Sequence, residues 1–312
     1  MKVAFLDTVH PILMDRLNSN GYLCDELLNI TREEIIEGAL ADYTGIVIRS
    51  RLSIDARLLA ALPSLKWIAR SGSGLDNIDI EEAEARDIEV INSPEGNRDA
   101  VGEHCLGLLL AILHKIKSGD SSVHNRLWLR EEHRGEELGP KTVGIIGYGV
   151  MGSAFAEKLS GLGCRIIAYD KYKEGFGSSA VEEISEEEFF MQSDVVSIHV
   201  PWTSETKGMV DADWLNRFEK PIILLNTSRG AVVKTADLLD AIDSGKVRSA
   251  GLDVIEFEGR SLEGLELDNE SQTILDRLLS NDQILITPHV AGWSVESYYK
   301  LSSVLADKIL KP

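Results

Sequence analysis

The chain has 312 residues, 44% hydrophobic and 27% charged, which is enough for two domains that each own a core. Its net charge of −19 argues against nucleic acid and anionic membrane as partners, and no apolar run is long enough to span a bilayer. The cysteines Cys24, Cys105 and Cys164 are odd in number, lie in apolar patterns and form no Cys-x-x-Cys, so they read as buried thiols in a reducing compartment and not as a metal site.

Met1–Leu6 reads as a strand running into Asp7, too short for a signal peptide, so the cytoplasm is the expected compartment. A helical pattern near 11–20 follows, closed by Gly21. Short strands are expected at 46–48, 66–69 and 88–92, with helical patterns between them. Asn92-Ser93-Pro94-Glu95-Gly96-Asn97 is a turn-rich crossover into a long apolar helix over about 100–116. Further strands are expected near 165–169, 195–198, 222–225, 249–252 and 284–286. A second crossover near 287–293 precedes a last helix over about 294–310. The run Glu182–Glu188 contains five glutamates and reads as a solvated helix face.

This alternation predicts an α/β protein with two doubly wound parallel-sheet, Rossmann-like domains. The two crossovers make the first domain discontinuous, 1–96 plus 290–312. The second, 97–289, is inserted into it, and a hinged interdomain cleft is expected.

The most informative segment is Thr142-Val143-Gly144-Ile145-Ile146-Gly147-Tyr148-Gly149-Val150-Met151-Gly152. An apolar strand runs into Gly-x-Gly-x-x-Gly and a helix opens behind it. Gly147 permits a tight turn, Gly149 lets backbone approach a pyrophosphate, and Gly152 lets helix and strand pack closely. The helix N-terminus offers N–H groups to phosphate, with Tyr148, Val150 and Met151 filling the remaining positions of the cofactor site. Asp170 closes the next strand, 18 residues past Gly152, where a carboxylate can accept from the adenosine ribose hydroxyls. The bare motif also fits a strand–helix turn with no ligand. With its strand, helix and terminal acid it predicts a dinucleotide, and Asp170 would repel a 2′-phosphate, so NAD is expected over NADP. Lys171 and Lys173 could soften that preference, or simply belong to a solvated loop.

Three further segments stand at expected strand ends, where such folds place ligands. They are Asn226-Thr227-Ser228-Arg229-Gly230, the run Gly251–Glu258, and Thr287-Pro288-His289-Val290-Ala291-Gly292-Trp293. Taken singly, the His fits a structural hydrogen-bonder, the Arg a surface residue and the glutamates solvent. Beside a nicotinamide they supply what hydride chemistry needs. A His held by a carboxylate moves a proton on the substrate oxygen, the carboxylate favouring the imidazolium, while an Arg polarises a carbonyl and anchors an acid group.

These segments resemble the D-isomer-specific 2-hydroxyacid dehydrogenase family over essentially the whole chain. Arg70-Ser71-Gly72-Ser73-Gly74-Leu75-Asp76-Asn77-Ile78-Asp79 is similar to its substrate loop. Asn92–Asn97 with Val101-Gly102-Glu103 resembles its interdomain crossover and helix, and His199-Val200-Pro201 with Thr206 resembles its cofactor-side loop. The resemblance implies Arg229 as the substrate-orienting Arg, His289 as the acid/base, and Glu258 as its carboxylate partner, with Glu256 the second choice. It implies that the N–H groups of Ser73 and Gly74 hold the substrate carboxylate, and that Thr227, Ser228, Asp253 and Gly292 line the cofactor site. The family usually has Pro after the Glu, where this chain has Gly259. The span to His289 is also longer, so 259–281 is expected to form an extra loop with a short helix near 272–279.

Ile48-Arg49-Ser50-Arg51 is similar to the Arg-Ser segment of 3-phosphoglycerate dehydrogenases. Arg49, Ser50 and Arg70 beside a carboxylate-binding loop suit a substrate with a second anionic group, although Arg49 and Arg51 also fit strand-end surface residues. Within that resemblance the short form, without a regulatory domain, is expected, since the chain stops just past the last helix. The implied partners are a small anionic 2-hydroxy or 2-keto acid and a second copy of the chain, with 100–116 as the contact helix. The competing readings are an NAD-sensing binding protein like the co-repressors that resemble this family, and a formate or phosphite dehydrogenase.

Overall fold

The computed structural model describes residues 1–259 and 265–311, which divide into two compact units. The first holds Met1–Arg98, Gly259 and residues 293–311; the second holds Asp99–Glu258 and Leu265–Gly292. Residues 260–264 of the expected extra loop lie outside the described residues.

In the first unit the strands are β1 (Lys2–Phe5), β2 (Leu23–Glu26), β3 (Gly45–Ile48), β4 (Trp67–Arg70) and β5 (Glu89–Asn92). They form a parallel sheet in the order β2-β1-β3-β4-β5. Every position of β3 is buried, the pattern of a strand covered on both faces. Alternation divides the core. Ala4, Leu6, Ile46, Ile48 and Ile68 pack to one face. Val3, Phe5, Val47 and Ala69 pack to the other, against Leu305 and Ala306 of the last helix, Val295–Ile309. A Cβ on Gly96 would stand 2.5 Å from the Leu301 nitrogen, so this glycine lets the crossover lie against that helix. The strand order reverses between β1 and β3, which puts Asp7 and Arg49 at the carboxyl ends flanking the switch point.

In the second unit the strands are β6 (Thr142–Ile146), β7 (Arg165–Tyr169), β8 (Glu182–Glu183), β9 (Val195–Ile198), β10 (Ile222–Asn226), β11 (Val247–Leu252) and β12 (Ile284–Ile286). All are parallel, in the order β12-β11-β10-β9-β6-β7-β8, the dinucleotide-fold order with one strand added. Here the switch point lies between β6 and β9, which feed the glycine loop and His199-Val200-Pro201 respectively.

Three expectations about elements are corrected. The long helix runs Arg98–Leu113; Lys115 then takes a left-handed φ of 50° and a separate helix, Ile116–His124, follows. The acidic run 182–188 is not one helix face. Glu182 and Glu183 form the edge strand β8, where Glu182 forks onto Arg165 and Glu183 accepts from the N–H groups of Gly175, Phe176 and Gly177. Ser185 then caps the helix Glu186–Gln192. The helix expected near 272–279 begins earlier, at Asn269, because Asp268 caps it through the Ser271 N–H. Cys105 is buried, but Cys24 and Cys164 are only partly so. Among the described residues no helix is long and apolar enough to cross a membrane, and no cluster of His, Cys, Asp and Glu is placed to hold a metal ion.

Candidate active site

In the second unit each glycine of the motif has a distinct physical job. Gly147 has φ of 86°, and a Cβ there would stand 2.7 Å from the His199 carbonyl oxygen. Gly152 lies so close to Gly147 that a Cβ would stand 2.1 Å from its carbonyl oxygen. Gly149 has nothing within 4 Å of its Cβ position, which leaves open space at the N-terminus of the helix Val150–Leu159. Among the described residues no side chain caps that helix, so the N–H groups of its first turn, on Val150, Met151 and Gly152, are available to an anion. These features fit a dinucleotide pyrophosphate.

Asp170 follows β7, and both of its oxygens are already oriented. One accepts from the Tyr148 N–H at 2.8 Å and the other from the Tyr172 N–H at 3.0 Å. The Tyr148 ring stacks on Phe176 at 4.6 Å. Lys173 donates to the Tyr148 carbonyl, and Lys171 and Tyr172 both engage Glu205.

The His199 side chain is buried and hydrogen-bonded through Nε2 to Ser197 at 2.8 Å, and among the described residues Nδ1 has no partner. Burial pulls its pKa down to about 4. Its carbonyl lies against the glycine turn, next to the Val200 side chain. Thr206 is tied within its own loop, its hydroxyl donating to the Pro201 carbonyl and accepting from the Thr203 N–H.

Glu258 and His289 meet: Nδ1 of His289 donates to Oε2 of Glu258 at 2.6 Å. The other Glu258 oxygen accepts from the Ile255 N–H, which fixes the carboxylate. The second candidate, Glu256, is used elsewhere, accepting from the Thr235 N–H at the start of the helix Thr235–Asp243. His289 has a left-handed φ of 54°, an unfavourable conformation for a residue with a Cβ. Asp253 holds it there. This buried carboxylate accepts from Thr287 Oγ1 at 2.6 Å, Val290 N at 2.9 Å and Ala291 N at 2.8 Å, and its carbonyl accepts from His289 N. Both Asp253 oxygens are therefore engaged by the turn that ends at Gly292.

Arg229 leaves β10 through a loop knitted by Asn226. The Asn226 amide donates to the Arg229 carbonyl and its oxygen accepts from the Ser228 N–H and hydroxyl. A Cβ on Gly230 would stand 1.8 Å from the Ile255 carbonyl, so this glycine lets the Arg229 loop lie against the segment leading to Glu258. Thr227 is buried, its hydroxyl 3.0 Å from the Cys105 sulfur. Burial pushes the Cys105 thiol up to about 12, which makes it inert packing.

His104 was not legible from the sequence. Its Nε2 lies 2.9 Å from Thr287 Oγ1 and 3.5 Å from Asp253. Thr287 gives its own proton to Asp253, so Nε2 is the donor to Thr287. The only sequence signal is a His on the helix that opens the second unit.

In the first unit the loop after β4 carries the substrate-loop candidates. Ser73 donates its hydroxyl to Asn97 at 2.6 Å, and its carbonyl accepts from the Asn92 amide at 2.6 Å. Among the described residues, no acceptor takes the N–H groups of Ser73 and Gly74. Arg70 folds back along the loop, Nε donating to the Arg49 carbonyl and the guanidinium lying where a Gly72 Cβ would be. Ser50 is half-buried between the two arginines after β3. Arg51 is consumed by the fold, donating to the Leu6 and Ile30 carbonyls and pairing with Asp7.

The family description "D-isomer specific 2-hydroxyacid dehydrogenase, NAD binding domain" matches residues 106–291. A D-3-phosphoglycerate dehydrogenase of Archaeoglobus fulgidus is 35% identical over 312 residues, covering 99% of this chain and 57% of that protein. The chain thus spans about half the length of the first curated relatives it matches. A hydroxypyruvate reductase of Thermotoga maritima is 33% identical over 290 residues, 92% of this chain and 91% of that protein. A solved D-lactate dehydrogenase from Aquifex aeolicus, complexed with NAD and lactic acid, superposes with a TM-score of 0.83 at 25% identity, covering 99% of this chain and 94% of that one. The glycine turn, the Asp170 strand end and these matches together place the chain in the D-isomer specific 2-hydroxyacid dehydrogenase family, with an NAD binding domain in its second unit.

Proposed function

We propose that the chain is an oxidoreductase moving a hydride between NAD and C2 of a small D-2-hydroxy or 2-keto acid, with 3-phosphoglycerate and 3-phosphohydroxypyruvate as the preferred pair. The observation that carries this reading is the 2.6 Å pair of His289 and Glu258 in the NAD-binding unit. When bound, the nicotinamide supplies the site that gives or takes the hydride. The chain's residues manage the proton and the charges.

In the reductive direction His289 delivers a proton from Nε2 to the C2 oxygen; in the oxidative direction it removes it. Its Nδ1 is held by Glu258, so Nε2 is the nitrogen left for substrate. Arg229 polarises the C2 carbonyl and anchors the acid group. The N–H groups of Ser73 and Gly74 take the carboxylate, and Arg49, Ser50 and Arg70 serve the second anionic group. Asp170 accepts from the ribose hydroxyls and selects NAD over NADP. The phosphorylated pair is supported by Arg49 and by the relatives named D-3-phosphoglycerate dehydrogenase.

The same reading includes a homodimer. Ile116 and Val123 on the helix Ile116–His124, and Leu127, Trp128 and Leu129 just after it, are exposed apolar side chains that a second copy would cover. NADH oxidation by purified protein with a panel of 2-keto acids tests the activity. Binding of a protein partner under NADH without turnover would favour the NAD-sensing alternative instead.

A further inference from the structure

Arg49 stands at the carboxyl end of β3, beside the switch point of the first unit's sheet. The other charges there are spoken for. Asp7 accepts from the Arg49 main-chain N–H at 2.5 Å and pairs with Arg51. Among the described residues no carboxylate lies within ion-pair distance of the Arg49 guanidinium. Burial nevertheless draws the Arg49 pKa down, with Asp7 and Tyr298 opposing that shift. A half-buried guanidinium without a carboxylate is poised for an anion that the fold itself does not supply.

Trp293 decides which part of that guanidinium an anion can reach. The guanidinium carbon sits over its ring, 4.2 Å from the centroid. Although 52% exposed, Trp293 is braced from behind. Tyr298 meets it edge-on at 5.9 Å, His10 meets Tyr298 at 5.4 Å, and Tyr299 meets His10 at 5.1 Å. His10 is fixed in turn, its Nδ1 accepting from Ile12 N and its N–H donating to Ser302 Oγ. A guanidinium presents its donors in its plane, so one flattened against an aromatic ring offers its edge. That edge takes the oxygens of a phosphate or carboxylate in a fork.

We propose that Trp293 is a positioning residue. It holds Arg49 flat so that the guanidinium edge takes the remote anionic group of a doubly anionic 2-keto acid, and it thereby sets the preference for such substrates over analogues that lack the remote charge. The inference rests on the dehydrogenase reading above.

The test compares 3-phosphohydroxypyruvate with hydroxypyruvate, the same skeleton without its phosphate. In steady-state NADH oxidation the wild type prefers the phosphorylated acid in KM. Trp293→Leu lowers that preference by about fivefold to tenfold with kcat little changed, and Trp293→Phe, which keeps a ring, restores most of it. An equal change for both acids, or an unchanged ratio, overturns the proposal. Calorimetric titration of 3-phosphoglycerate and of glycerate into the NADH-bound protein repeats the comparison without turnover. If no 2-keto acid is reduced, the dehydrogenase reading fails. The Trp293 proposal then falls only if 3-phosphoglycerate also binds no tighter than glycerate, or if Trp293→Leu leaves their affinity ratio unchanged.

Discussion

Asp253 holds His289 by the main chain. The Asp253 carbonyl accepts from His289 N at 2.8 Å, and its carboxylate accepts from the next two N–H groups. This grip stabilises a left-handed residue that would otherwise cost about 1–2 kcal/mol. Replacing Asp253 by Ala strands one buried and one part-buried N–H group and releases the turn. The expected loss is about 2–4 kcal/mol of stability, read by urea unfolding, with kcat falling about a hundredfold. Asp253→Asn should be intermediate, because its amide turns a donor toward N–H donors. Full activity in Asp253→Ala would remove this role.

Glu258 acts on the same histidine from the side chain. Glu258→Ala is expected to lower kcat by about a hundredfold while KM for the keto acid moves within about threefold, since the carboxylate orients the proton carrier and does not touch substrate. A large KM effect with kcat unchanged would place Glu258 in substrate binding.

Gly152→Ala places a Cβ 2.1 Å from the Gly147 carbonyl oxygen and must open the turn. NADH affinity, followed by fluorescence titration, is expected to fall by more than about tenfold. Circular dichroism checks that the fold persists. Gly149→Ala meets nothing within 4 Å in the protein and so reports on the ligand side alone. Unchanged NADH binding in both variants would mean that the cofactor does not lie on this turn.

His199 makes stability depend on pH. Burial lowers its folded pKa to about 4 from the ordinary 6.5 of a histidine. Below pH 6.5 the unfolded chain takes a proton that the folded chain refuses, so stability is full above 6.5 and drains away as pH falls to about 4. The loss amounts to about 3 kcal/mol across that window. His199→Gln keeps a partner for Ser197 without the titration, so its unfolding free energy should vary less between those limits. Parallel pH profiles for the two proteins would contradict this.

The parts of the fold visible in the sequence are those carried by local chemistry. Central strands such as β6, β9 and β10 are buried along almost their whole length and read as apolar runs. The edge strands β2 and β8 were missed because their residues are polar or exposed, as an edge requires. The order of the first sheet, β2-β1-β3-β4-β5, depends on where each connection crosses and leaves no local trace. Asp170 was legible because it closes a strand at a fixed distance from the glycines. Glu258 and His289, 31 residues apart, are brought together by the pairing of β11 with β12 and the Asp253 contacts that follow it, and were named through the family resemblance. His104 comes from a helix far off in sequence, 183 residues from Thr287, and only tertiary structure reveals that contact.

The central claim is that His289, held by Glu258, moves the proton that accompanies hydride transfer at C2. The most direct measurement is NADH oxidation by wild type and His289→Ala with 3-phosphohydroxypyruvate, with NADH binding measured in parallel. The account predicts turnover by the wild type, a loss of about two to four orders of magnitude in kcat for His289→Ala, and equal NADH affinity in both. Turnover undiminished in His289→Ala, or none by the wild type with any 2-keto acid, would contradict it.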